Sequence, residues 1–361
     1  MTPRPKVAVF ILNYNSSDFE STVYKSIESA LGINYPSLDI VVIDNASSDD
    51  SFEAIRDRFG KDVALIRLDR NYGYSGGNEL GFERYASKRG SSDYAVFMNN
   101  DFIVTNRDFI KDLVGFLERN EDVVLAQGFN LAGDGVHVDS AGYFIDSNLR
   151  MITRYGGKKL ADCPLKSSYI TYASGSCFVS KVKVIKEVRG YFFEPRFFAY
   201  WDESDLAFNM WSYGLKSIFI PTTVGIHQVS RSFGKVPILT EYLLIRNRYA
   251  LHRHYLHGII KVLSAPAFLT LSLPYRPLQG LRGRIITRAF VDAYLQNVCG
   301  SSIVGVYNPL IVMPRNLSYT TCSSFIPKKL RRKMLEKISN LTISEDDLKA
   351  SSRPFTVTAE L

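Results

Sequence analysis

Three carboxylates, Asp202, Glu203 and Asp205, stand within four positions, directly after Trp201. Like charges held that close raise one another's pKa, and a carboxylate tuned in this way can act as a general base. The other reading is a helix N-terminus whose acids face the positive end of the macrodipole. The aromatic lead-in from Tyr191 to Trp201 argues against a merely solvated acidic face. Asp101 closes the triplet Asn99-Asn100-Asp101. A strand-end carboxylate can hold Mg2+ or Mn2+ when diphosphate oxygens complete the coordination, and an Asx-turn is the alternative. His227 follows an apolar stretch and offers a neutral imidazole to a metal, although a lone His in such a place is usually structural. Asp44-Asn45-Ala46-Ser47-Ser48-Asp49 presents a carboxylate to a ribose or base N–H; taken alone it fits a helix N-cap loop. Residues 71–78 hold Gly73, Gly76 and Gly77, which would let backbone N–H groups approach a pyrophosphate. The segment matches neither G-x-G-x-x-G nor a Walker motif, and a flexible turn is the alternative.

These residues need a scaffold that gathers them. Residues 7–12 (VAVFIL) form a short apolar run stopped by Asn13-Tyr14-Asn15, the pattern of a buried parallel strand. Further strands are predicted at 39–43, 63–68, 94–98 and 123–127. Helices are predicted at 17–31, 51–59, 76–88 and 106–120. Such alternation means an α/β fold with a mostly parallel sheet flanked by helices. Asn13, Asp44 and Asn99 to Asp101 then fall at strand ends, on the edge where open α/β sheets bind ligands. Residues 130–168 break the rhythm and predict irregular structure or short antiparallel strands. A strand is expected at 171–180, a helix at 205–213 and a short strand at 216–221. From residue 237 the pattern turns to long amphipathic helices.

The chain has 361 residues, 46% of them hydrophobic, and a net charge of +8. The charge is unevenly spread: residues 1–230 carry 25 basic and 29 acidic side chains, and residues 231–361 carry 19 and 7. A basic rear suits an anionic surface. Cys163, Cys177, Cys299 and Cys322 lack any C-x-x-C spacing, so they read as free thiols in a reducing compartment. The N-terminal residues show no secretory signal pattern. Residues 262–273 are too short and too interrupted, by Pro266, to span a bilayer, but could lie in its interface. A cytoplasmic protein is expected, docked peripherally on the cytoplasmic membrane face. Packing of the rear segment on the core, or on a second copy in a homo-oligomer, is the alternative.

The order of these motifs resembles the family 2 glycosyltransferases with a GT-A (Rossmann-like) fold, nearest to the branch of rhamnosyl- and galactofuranosyl-transferases. The resemblance covers residues 6–255. It implies a GT-A catalytic domain over 1–236, with a nucleotide-sugar half to about 128 and an acceptor half over 129–236. A basic, mainly helical extension over 237–361 follows. It implies that Asn13, Asn15, Asp44, Asn71, Gly73, Gly76, Gly77, Asn78 and Asn100 surround the nucleotide sugar. Asp101 and His227 would be ligands to Mg2+ or Mn2+, with Asn99 standing where the family has its first Asp. Asp202-Glu203 match the family's acidic pair, with Glu203 in the place of the catalytic base. Arg246-Asn247 resemble a recurrent Arg-Asn in the next helix. The implied reaction is an inverting transfer from a nucleoside-diphosphate sugar to a glycan or lipid-linked glycan. The acidic cluster separates this reading from a non-catalytic nucleotide or glycan binder, which needs no base. Nucleic acid is not expected as a partner, because the basic residues are interleaved with apolar stretches and no recognition motif is present. Nucleotidyl transfer lacks its N-terminal Gly-rich signature.

Overall fold

The computed structural model describes residues 4–145, 149–228, 237–255, 281–296, 298–299, 311–314, 328–350 and 356–359. The first apolar runs become β1 (Val7–Asn13), β2 (Leu38–Asp44), β3 (Ala64–Arg67) and β4 (Tyr94–Asn99). Between them lie α1 (Glu20–Leu31), α2 (Ser51–Phe59) and α3 (Gly73–Arg89). β1 pairs in parallel with β2 and β4, and β2 with β3. The register sets Asn13 opposite Asp44 and Leu12 opposite Asn99. The polar strand ends are therefore level, which brings them to one edge.

Beyond β4 the sheet changes character. β5 (Phe102–Val104), α4 (Phe109–Arg119) and β6 (Val123–Leu131) follow, then the short strands β7 (Val138–Ser140), β8 (Tyr143–Ile145), β9 (Met151–Thr153) and β10 (Ser168–Ile170). Next come β11 (Cys177–Lys181), α5 (Val182–Arg189), α6 (Asp202–Ser212) and β12 (Lys216–His227). β11 runs antiparallel between β4 and β6, and β12 lies parallel to β6. The main sheet has the order β10-β12-β6-β11-β4-β1-β2-β3.

Several sequence expectations change: the helix expected at 205–213 begins at Asp202 and that at 106–120 at Phe109. The strand expected at 171–180 is confined to Cys177–Lys181, because Thr171 and Tyr172 make only an isolated bridge to Tyr143 and Ser174 and Ser176 bond to side chains, the Ser174 amide to Gln127, instead of joining a ladder. The glycine-bearing segment is helical from Gly73 rather than from residue 76. The short strand expected at 216–221 runs on to His227 as one 12-residue strand, passing Pro221 with shifted register.

The C-terminal part supplies α7 (Pro237–Tyr255), α8 (Leu281–Leu295), β13 (Ile311–Pro314), α9 (Lys328–Ser339), α10 (Glu345–Ala350) and β14 (Thr356–Ala359). Besides the expected helices it contributes two strands. β13 pairs with β14 and with β8, and β8 with β9, which covers an edge of the middle segment. Residues 262–273, Cys322 and the 236/237 boundary's preceding residues 229–236 lie outside the described residues. Cys163, Cys177 and Cys299 are free thiols, all buried.

Strand alternation splits the core between the two sheet faces: Phe10, Val41 and Phe97 on one, Val9, Val42 and Val96 on the other. Phe97 meets Phe10, Phe178, Phe192 and Phe193 at centroid distances of 5.5, 5.6, 5.1 and 4.8 Å. Such aromatic pairs add about 0.5–1.5 kcal/mol each beyond area burial. They seat the aromatic lead-in against β4. Glu79 of α3 pins the same segment, accepting from the Phe192 and Phe193 amides at 2.7 and 3.1 Å while Lys186 neutralises it.

Candidate active site

The edge formed by the strand ends is built from short polar side chains that hold one another. Asn13, at the tip of β1, is fully buried. Its Oδ1 accepts from Ser16 Oγ (2.7 Å) and Asn100 Nδ2 (3.0 Å), and its Nδ2 donates to Ser51 Oγ (3.3 Å). Asn15, with φ +45°, accepts from the Ser48 amide at 2.8 Å. The Asp44 carboxylate accepts from the Ser47 amide (3.0 Å) and hydroxyl (2.5 Å) and faces Arg67 Nε at 3.5 Å. Asp44 thus closes a local turn as well as marking the strand end; it does not cap α2, whose N-cap is Asp50.

Asn45, overlooked in the sequence, is the hub linking this edge to α3. Its Nδ2 donates to Asn71 Oδ1 and the Gly73 carbonyl at 2.9 and 3.0 Å, and its Oδ1 accepts from the Tyr72 amide. Asn71 Oδ1 also takes the Gly73 amide (2.8 Å), and the Ser75 amide goes to the Phe198 carbonyl (3.1 Å). Several N–H groups expected to face a pyrophosphate are therefore paired within the protein. The glycines have a packing reason. Gly73 has φ +70°, and a Cβ there would stand 2.1 Å from the Phe198 carbonyl oxygen. Gly76 and Gly77 turn toward Tyr72 and Leu12. Asn78 is buried, with Nδ2 bonded to the Tyr74 carbonyl (3.0 Å).

Asp101 and His227 come together as expected. β12 pairs with β5, which brings His227 opposite Phe102, and Nε2 lies 3.3 Å from Asp101 Oδ1. Asp139, absent from the sequence reading, holds the other ring nitrogen, Nδ1, at 3.0 Å. A carboxylate behind the imidazole orients it and sets its tautomer for a ligand at Nε2. Burial alone would depress the imidazole pKa, but the Asp101 and Asp139 hydrogen bonds outweigh it and raise it to about 9. Among the described residues no three His, Cys, Asp or Glu side chains form a complete metal cage. Two protein ligands, one oxygen and one nitrogen, fit a cation whose remaining positions are filled by diphosphate oxygens and water.

The acidic cluster opens α6, so the helix-terminus reading is correct as local structure. It is also buried. Asp202 is 1% exposed, and its Oδ2 accepts from Ser75 Oγ at 3.1 Å. Burial pushes its carboxyl up to about 6, against the pull of its own backbone amide and hydrogen bonds with Glu203 and Ser75. Burial, then the Asp202 charge, pushes Glu203 well above the usual carboxylate range. Glu203 lies against Gly175, where any Cβ would sit 1.6 Å from Oε1. Tyr74 completes the pocket, its hydroxyl donating to the Gly175 carbonyl at 3.1 Å. The next carbonyl, of Ser176, accepts from the Asn99 amide at 3.0 Å. Residues 175–176 therefore touch both the acidic pair and the strand end that precedes Asp101. Asp205 belongs elsewhere: it is ion-paired with fully buried Arg189 and accepts from Tyr255.

The segment that delivers Asp202 and Glu203 is strained. Phe198, Tyr200 and Trp201 have φ of +67°, +67° and +68°. Each such non-Gly residue costs on the order of 1–3 kcal/mol and persists only where the surroundings hold it.

Comparisons with known proteins bear on the family and the fold. Residues 8–189 match the family described as Glycosyl transferase family 2. The chain is similar to UDP-Glc:alpha-D-GlcNAc-diphosphoundecaprenol beta-1,3-glucosyltransferase WfaP of Escherichia coli, with 30% identity over 113 residues, 31% of this chain and 41% of that protein. It is also similar to an uncharacterized glycosyltransferase of Haemophilus influenzae, with 26% identity over 122 residues, 33% of this chain and 45% of that one. The matches thus span less than half the length of these relatives. Among solved structures, GalNAc-T7 with UDP, GalNAc and Mn2+ superposes with TM-score 0.55 at 15% identity, covering 82% of this chain and 57% of that one. TarS 1-349 of S. aureus with UDP-GlcNAc gives TM-score 0.53 at 14% identity, covering 80% and 81%. The fold is GT-A: a curled, mostly parallel sheet flanked by helices, with further helices at the C-terminus.

Proposed function

Because the chain belongs to glycosyl transferase family 2, we propose that it transfers a hexosyl residue from a nucleoside-diphosphate sugar to a glycan or lipid-linked glycan, with inversion. The observation that carries this reading is the Asp202–Glu203 pair, Asp202 buried and Glu203 half-buried, joined through residues 175–176 to the strand end that bears Asp101. The nucleotide lies over the strand ends of Asn13, Asn15, Asp44 and Asn100, with residues 71–78 as a wall. Asn99-Asn100-Asp101 supports a place in the rhamnosyl- and galactofuranosyl-transferase-like branch. Asp101 and His227 would hold Mg2+ or Mn2+, which when bound neutralises charge on the diphosphate. Glu203, poised by burial, takes the proton of the acceptor hydroxyl as that oxygen attacks the anomeric carbon from the face opposite the diphosphate. Asp202, fixed by Ser75, keeps the Glu203 carboxylate basic. A single displacement inverts the centre without a covalent sugar–protein intermediate.

A panel of UDP-, GDP- and dTDP-sugars tests the reading by thermal shift. One donor should raise Tm in a concentration-dependent way, by about 2.7 kcal/mol of stabilisation at a hundred times its Kd. It should then be turned over to free nucleoside diphosphate. If no nucleotide sugar stabilises the protein or is consumed, the assignment fails.

We also propose that the protein works as a peripheral protein on the cytoplasmic membrane face, where a lipid-linked acceptor would be met. Among the described residues no helix is long and apolar enough to cross a membrane. Support comes from α9, whose Met334 and Ile338 are buried in the protein while Lys329, Arg332, Lys333 and Lys337 are exposed. Its apolar face is used internally, which leaves charge as the means of docking. Each cation near an anionic leaflet contributes about 1 kcal/mol, and the attraction falls with salt. The protein should sediment with phosphatidylserine vesicles at low salt and release as salt rises. Replacing Lys329, Arg332 and Lys333 by Glu should abolish sedimentation. Protein that stays in the supernatant at low salt would refute docking and favour a contact with a second copy.

A further inference from the structure

We propose that Arg246 and Asn247 of α7 are positioning residues that hold the strained segment 197–201, and through it the Asp202–Glu203 pair, in working geometry. The inference rests on Glu203 being the base. Asn247 is fully buried, and its Nδ2 lies 3.1, 2.8 and 2.8 Å from the carbonyl oxygens of Phe197, Ala199 and Tyr200. Arg246 Nη2 donates to the Arg196 and Phe197 carbonyls, both at 2.8 Å. Arg246 Nε donates to Asn247 Oδ1 at 2.8 Å. A guanidinium can only donate, so the Asn247 oxygen must face it and both amide hydrogens must face the loop. Two adjacent side chains thus bind the carbonyls of Arg196, Phe197, Ala199 and Tyr200.

The remaining carbonyl in that run, Phe198, is taken by the Ser75 amide of α3 at 3.1 Å. The same serine's hydroxyl holds Asp202. The segment is therefore gripped between α3, on the donor side, and α7, which lies beyond residue 236. Positive φ at Phe198, Tyr200 and Trp201 turns the carbonyls toward those donors, and relaxing any of them would rotate the start of α6. Asn247 and Arg246 do not touch the carboxylates. They act through the backbone, which makes the C-terminal helix a component of the base's geometry.

Asn247→Asp tests this. It keeps the acceptor for Arg246 but replaces the donor amide with an oxygen facing three carbonyls. With the nucleotide sugar selected by the panel, kcat should fall about 10²-fold, the cost of a misplacement near 1 Å, while the donor KM stays nearly unchanged. Amide hydrogen exchange should accelerate over residues 197–204 and stay unchanged in α1. Arg246→Lys, which retains the charge but loses the fork, should behave in the same direction with a smaller loss. Leu117→Ala, in a buried position of α4 away from the site, controls for lost stability and should keep kcat. Full kcat in Asn247→Asp, a loss no larger than in Leu117→Ala, or unchanged exchange over 197–204 would overturn the proposal. If Asn247→Asp does not fold, Arg246→Lys decides by the same criteria. A fully active Glu203→Gln would instead strike the base assignment on which it rests.

Discussion

Glu203→Gln should lower kcat by about 10²–10⁴-fold, the usual contribution of a general base, with nucleotide binding nearly intact. The amide keeps the shape of the side chain against Gly175 but cannot accept the acceptor's proton. Gly175→Ala should have a similar effect by another route, because the methyl group would occupy the position of Glu203 Oε1. Stability should move the other way. The folded pKa of Asp202 is raised from 3.8 to about 6, and that of Glu203 is raised well above its usual range. A carboxyl whose folded pKa is raised binds more protons folded than unfolded, so stability is lost as pH rises through about 4 to 6 and beyond. Removing one of the two charges should therefore raise Tm at pH 8 and have little effect near pH 4, as expected where a destabilising cluster is kept for activity. In the wild type, kcat should rise with pH along the titration of the pair, whose apparent pKa values belong to both groups. A pH-independent kcat between 5 and 8, or full activity in Glu203→Gln with a dead Asp202→Asn, would move the base to Asp202 or out of the cluster.

Asp101→Ala should weaken nucleoside-diphosphate binding in the presence of Mn2+ by more than about 10–100-fold, the loss typical when only a residue supporting a metal ligand is removed. In excess chelator the same substitution should change nucleotide binding far less. Thermal shift with UDP, with and without Mn2+, reads the difference without any turnover. Asp139→Asn should give an intermediate loss, because His227 remains but its Nδ1 partner at 3.0 Å no longer carries a charge. Wild-type protein that binds UDP equally with and without metal, or is fully active in chelator, would show that Asp101 and His227 act as a plain ion pair.

Much of the N-terminal α/β half was legible because parallel α/β structure writes itself locally. Each buried strand is a short apolar run, and each ends on Asn or Asp where the chain must turn toward the next helix. β1, buried but for half-buried Leu12, required an uninterrupted run, and Asn13 could end it because its side chain finds Ser16, Ser51 and Asn100. The same logic failed at residues 71–78. Glycines there suggested an open loop, whereas they let α3 begin early and press against Phe198 and Leu12. Close packing and ligand approach both require the missing Cβ, and one-dimensional spacing does not distinguish them.

The residue types and their order determined the fold class, the polar strand ends and the acidic pair after Trp201; the pairing of Asp101 with His227 was implied only by the family resemblance. The first three depend on local composition or on the regular alternation of elements. Only the tertiary structure decided that β11 enters antiparallel between β4 and β6, that Asp139 stands behind His227, that Asn45 and Ser75 knit the strand-end edge to the acidic pair, and that Arg246 and Asn247 grip the backbone before it. Those contacts join residues from separate elements, so no periodicity marks them. A hydrogen-bonding side chain has the same identity whether it faces solvent, a neighbouring carbonyl or a catalytic carboxylate, and the packing of the folded chain selects among the three.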